Sequence, residues 1–226
     1  MACVCSARPV GGAANVLPEI KKQLAAAHKY LADGSWQYAV AHADLVLISD
    51  NVSISINVEK VAPSQRQTCI DALNAACSVW ESALGKSLRF HVENDPSKAD
   101  LKVTFRPNVQ MGNEAVAGLT KWTRDIRTSG GQVTDVSFRA DVSVRTRGLD
   151  SRSLSFESIR QETEHELGHV LGLDDSDRLG DLMGELDAEL PVSGPRDYEI
   201  LAVKSLREEA KHVKTEAEAK RKSAAQ

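Results

Sequence analysis

Aromatic residues are scarce in this chain, with three Trp, three Tyr and four Phe among 226 residues. A core built from it must be mostly aliphatic and alanine. No run approaches the roughly 20 consecutive apolar residues of a membrane-spanning helix, so no span is expected. An excess of basic charge is missing too. The 28 Lys and Arg stand against 32 Asp and Glu, a net charge of −4. Nucleic-acid partners leave a basic footprint, and none is seen. Cysteines number four: Cys3, Cys5, Cys69 and Cys77. Cys69 and Cys77 lie eight apart in a helical pattern, about 12 Å along the axis, which is beyond disulfide reach. Cys77 reads as a small core hydrophobe, and this cysteine usage fits a reducing compartment. The opening residues lack both a charged n-region and a continuous apolar h-region, so no secretory signal is read.

What is present is an ordinary globular composition, 42% hydrophobic and 27% charged. The length suits one large domain with small additions. Residues 1–16 are rich in Gly and Ala and are expected to be flexible. A helical hairpin is expected over 17–48. Leu17, Ile20, Leu24, Ala27 and Leu31 recur at helical spacing, then Trp36, Val40, Ala43 and Leu47. Gly34 suits the first helix's C-terminus and Ser35 the next N-cap. Residues 52–58 alternate as a half-buried strand. A capping box of Ser64 and Gln67 then opens a helix striped by Ile70, Leu73, Cys77, Trp80 and Leu84. Strands follow at 88–92 and 101–105, with further extended segments at 115–123 and 133–144. A helix runs from Phe156 to about Leu171, and a last one from Arg196 into a charged tail. The tail reads as a solvated helix with Glu216/Lys220 and Glu218/Lys222 pairs. The mixed order indicates an α/β sandwich around one twisted sheet.

Within the Phe156 helix stands His165-Glu166-Leu167-Gly168-His169, followed by Gly172 and Asp175. Histidines one turn apart project from one face. Each can offer a nitrogen to a single zinc ion, and Glu166 can serve a metal-associated water as general base. Gly172 lets the chain leave the helix sharply. The residue three positions on then returns toward the metal. Asp174 lies beside it, but the spacing selects Asp175. Three protein ligands would leave the fourth position open, as a catalytic zinc site requires.

The run His165 to Asp175 resembles the extended zinc motif of the metzincin metallopeptidases, in the variant with Asp as third ligand seen in snapalysin-like enzymes. Asp181-Leu182-Met183-Gly184 is similar to their Met-turn, which would put Met183 beneath the metal. Matrixins are the nearest resemblance. Residues 99–105 are similar to their third strand and 195–206 to the opening of their last helix. The resemblance implies a metzincin-like α/β catalytic domain over 50–207. Its twisted mixed sheet would have five strands, one of them an antiparallel edge. Two main helices and a zinc-bearing loop would complete it. The hairpin 17–48 would precede this domain and a charged helical tail, 208–226, would follow. Ala117, Gly118, Leu119 and Thr120 would lie on the edge strand and pair with an extended protein or peptide substrate.

The implied activity is that of a zinc metalloendopeptidase with Glu166 as base, and one catalytic Zn2+. Calcium accompanies many family members, and Asp135 and Asp141 lie between strands, but no EF-hand-like spacing supports it. Residues 107–155 contain no His, so a second, structural zinc lacks ligands. The flanks of Cys5 do not match a cysteine switch. His28, His42, His91 and His212 have no ligand-like spacing. The family is usually exported, whereas no export signal is read here. Oligomeric state has no sequence signal. The rival reading is a zinc-binding interaction protein that keeps the fold but hydrolyses little, using the hairpin and tail for contacts. An intact Glu166 separates the two, because a structural zinc site needs no base beside it.

Overall fold

The computed structural model describes residues 14–185 and 192–224. Cys3, Cys5 and most of the expected flexible segment lie outside these residues. Helices α1 (Pro18–Ala32) and α2 (Trp36–Leu47) form the hairpin. Strand β1 (Asn51–Asn57), helix α3 (Arg66–Leu84), β2 (Arg89–Val92) and β3 (Leu101–Arg106) follow. Two short strands, β4 (Val109–Met111) and β5 (Glu114–Val116), precede the long β6 (Gly118–Ser129) and β7 (Gln132–Arg145). Helices α4 (Phe156–Val170) and α5 (Asp197–Ala224) complete the chain.

The main sheet has the order β2-β1-β3-β7-β6. Its first four strands are parallel and β6 is an antiparallel edge. This is the five-stranded mixed sheet expected. Alternate residues of β3 and β7, among them Val103, Phe105, Val142 and Val144, face α3 and α4 and form the main core with Trp80 and Leu167. The Trp80 indole N–H donates to the Glu164 carbonyl (2.9 Å), fixing α3 against α4. Buried Trp N–H groups need such a partner.

Several local expectations are corrected. Gly34 is left-handed (φ +74°), but Ser35 makes no side-chain cap. The Ser64–Gln67 box does not form, because Pro63–Gln65 is a 3-10 turn and α3 starts at Arg66. Gln65 is instead buried, donating to the carbonyls of Thr146 and Leu154. The inward face of α3 is Cys69, Ala72, Leu73, Ala76, Trp80 and Leu84, while Ile70 and Cys77 are half-buried. Small residues on that side let the helix approach the sheet closely. Burial pushes the Cys77 thiol up to about 12 and Cys69 to about 11, so both are poor nucleophiles.

The largest correction concerns the tail. Helix α5 is continuous to Ala224, and Ala210, Val213 and Ala217 are fully buried. They pack with Ile20, Leu24, Ala27, Ala39, Ala43 and Val46 into a second core. The hairpin and α5 thus make a three-helix layer. The layer also covers the β6–β7 turn, where Gln37 and Tyr38 donate to the Gly131 carbonyl (3.1 and 3.2 Å). Among the described residues, no helix is long and apolar enough to cross a membrane.

Candidate metal centre

Helix α4 starts where the Ser155 hydroxyl accepts the Ser158 N–H (3.1 Å). That cap fixes the helix phase, and 3.6-residue periodicity does the rest. His165 and His169 emerge on one face, their rings edge to face with centroids 4.8 Å apart. The His165 Nδ1–H donates to the Leu182 carbonyl (2.9 Å) and the His169 Nδ1–H to the Leu173 carbonyl (3.0 Å). Both bonds hold the tautomer that leaves Nε2 as a free lone pair, and both set ring orientation.

Gly172, at φ +103°, turns the chain out of the helix, a conformation that any side chain would strain. The turn returns Asp175 to the histidines. Its Oδ1 lies 3.3 Å from His165 Nε2 and 3.4 Å from His169 Nε2. Two atoms each about 2.0–2.1 Å from one tetrahedral ion lie roughly 3.3–3.4 Å apart. The Asp175 oxygen therefore stands from each imidazole nitrogen at the spacing that two ligands of one tetrahedral zinc ion would have. Asp174 turns away, its Oδ1 accepting the Asp175 N–H (3.0 Å).

Glu166 is buried beside this triangle. Its Oε2 accepts the Thr120 hydroxyl (2.6 Å). A Cβ added at Gly118 would fall 2.2 Å from Oε1, so only glycine admits the carboxylate there. Burial pushes the Glu166 carboxyl above its ordinary value, and His165 and the Thr120 bond pull it back. Ligand-type atoms of His165, Glu166 and His169 lie within 4.8 Å of one another. No His/Cys/Asp/Glu group of this kind is found away from this site among the described residues, and neither Asp135 nor Asp141 joins one. Met183 is buried, with its thioether against Gly168 of α4.

An open cleft of about 620 Å³ runs past these groups, walled by Gly118, Leu119 and Thr120 on one side and Met183 and Gly184 on the other. Ala117 precedes β6, and its carbonyl accepts the Arg145 N–H (2.9 Å). Antiparallel pairs alternate, so Ala117 and Leu119 turn their backbone groups toward β7. Gly118 and Thr120 present theirs to the open edge. The remaining histidines lie elsewhere, at Glu209 (His28), Gln23 (His42), Asn51 (His91) and Glu216 (His212).

Sequence reasoning missed two supports. Buried Glu199 accepts the Met183 N–H (2.9 Å) and the Arg196 N–H (2.6 Å), tying the Met183 turn to the start of α5. The position of Glu199, three after Arg196 at a helix start, is a capping signal. The Thr120–Glu166 bond joins residues 46 apart and has no local signal. In comparison with known proteins, the matrixin family model matches residues 48–190. No curated protein matches the chain significantly. The chain belongs to the matrixin family.

Proposed function

We propose that this matrixin is a zinc-dependent endopeptidase whose metal ligands are His165, His169 and Asp175 and whose general base is Glu166. The convergence of both imidazole Nε2 atoms on Asp175 Oδ1 carries the reading. The donor set, two imidazoles and one carboxylate with a side open to the cleft, fits catalytic zinc. A zinc ion bound there supplies Lewis acidity toward a water and a scissile carbonyl.

The remaining roles belong to the chain. A substrate strand adds to the open edge through the backbone of Gly118 and Thr120 and is thereby held extended across the site. Glu166 takes the proton of the attacking water at Oε1, because Oε2 is engaged by Thr120. It then hands that proton to the leaving amine. Met183 and Glu199 keep the floor of the site rigid.

The test is metal analysis together with cleavage of unfolded casein. One zinc per chain and metal-dependent cleavage are expected, and Glu166→Ala should lose about 10²–10⁴ in kcat while retaining zinc. An equally fast Glu166→Ala variant would overturn the assignment.

A further inference from the structure

The family match begins at residue 48, yet the loop carrying Asp175 is strapped by residues far upstream of it. Val16 and Leu173 form an antiparallel bridge. The Leu17 N–H donates to the Gly172 carbonyl, and the Asp174 N–H donates to the Asn15 carbonyl, both at 3.0 Å. The Asn15 side-chain amide then reaches one residue further and donates to the Asp175 carbonyl (2.7 Å). Behind the strap, Ile20 of α1 closes on the turn, within 3.3 Å of where a Cβ on Gly172 would stand.

The strap matters because Asp175 has little else to hold it. Its side chain is 74% exposed. The Asp174 bond to its N–H is local, and the next anchor is the Ser176 N–H on the Met183 carbonyl (2.7 Å). A ligand on a loop must be ordered to coordinate, at roughly 1–2 kcal/mol of entropy per residue fixed. Both histidines, by contrast, are fixed by a helix and by hydrogen bonds from their second nitrogens.

We infer that Asn15 is a positioning residue for the metal centre, clamping the Asp175 backbone so that the carboxylate stays turned to the histidines. The inference rests on the proposed reading of Asp175 as a ligand. It makes the segment before α1 a working part of the site rather than an appendage.

The test is zinc affinity of the full chain, read by competition with a chromophoric chelator, in a four-member cycle. Asn15→Ala should weaken zinc roughly tenfold, at the lower end of what loss of an outer partner costs a metal site. Asp175→Ala should weaken it more, and the double variant should bind like Asp175→Ala alone. Asn15→Ala binding zinc like the wild type would overturn the inference. So would an equal tenfold loss in the Asp175→Ala background, which marks a purely structural role. Asp175→Ala with unchanged zinc affinity would instead bring down the ligand reading, and this inference with it.

Discussion

Helices α4 and α5 are both rich in charge and bury it in opposite ways. Every residue from Gln161 to Gly168 of α4 is buried, including Glu162, Glu164, His165 and Glu166. In α5, 28 residues long, burial falls on about one residue per turn: Glu199, Val203, Arg207, Ala210, Val213 and Ala217. The sheet, α3 and the chain around Val192 enclose α4, so its polar groups must find partners or shift their protonation. Glu164 pairs with Arg160, and Gln161 accepts the Val192 N–H (2.9 Å). In α5 the charges other than Glu199 and Arg207 stay largely in water, and mostly small residues make the contact. The comparison separates a helix that carries the proposed metal site from one that carries attachment.

Arg207 is one of the two buried charges of α5, and it offers the largest way to break the comparison. Its buried guanidinium donates to the carbonyls of Leu47 (2.6 Å) and Ser87 (2.7 Å) and to Asp50 (2.5 Å). It therefore joins the hairpin's end to the start of β1 and the approach to β2. Arg207→Ala should cost about 2–4 kcal/mol in chemical denaturation, because the Leu47 and Ser87 carbonyls lose their donor, while the largely exposed Asp50 keeps Lys211. A loss under about 1 kcal/mol would show the helical layer and the sheet to be energetically independent.

Glu162 tests the other side. Burial pushes its carboxyl up to about 8, with Arg145 pulling it down and Glu166 raising it further. A carboxyl raised in the fold favours the folded state only while protonated. Its cost is therefore absent below about pH 4.5, grows through neutrality and is complete above about pH 8. Glu162→Gln should stabilise the protein by about 1–3 kcal/mol at pH 8 and hardly at all at pH 4.5. Equal effects at both pH values would mean that the charge is well compensated.

What the sequence disclosed follows the range of the interactions. The motif from His165 to Asp175 is local, since helical periodicity and one glycine turn bring its donors together within eleven residues. The places of the main strands along the chain were legible because alternation is also local, whereas the antiparallel edge came with the family resemblance. The β4–β5 pair, three residues each, was too short to carry a pattern. The burial of Ala210, Val213 and Ala217 was hidden because small residues spaced among Lys and Glu give almost no apolar signal. Asn15 and Thr120 reach Asp175 and Glu166 across 160 and 46 residues, and nothing in the chain's local pattern marks such pairs.

Thr120 gives the finest test, because its hydroxyl touches the proposed base. Its hydroxyl reaches Glu166 Oε2 from the edge strand. Valine keeps the β-branch, the volume and the strand preference and removes only the donor. A hydrogen bond to a charged group is worth about 1.5–3 kcal/mol in total. Only the share that orients the proposed base in the transition state appears in the rate. Thr120→Val should lower kcat about tenfold, near 1.4 kcal/mol, with KM, zinc content and thermal midpoint nearly unchanged. Thr120→Ser should recover most of the loss. A matching fall in thermal stability would mean that the hydroxyl holds β6 against α4 rather than aiming Glu166. Full kcat in Thr120→Val would mean that the close fit at Gly118 and the helix itself suffice to orient the carboxylate.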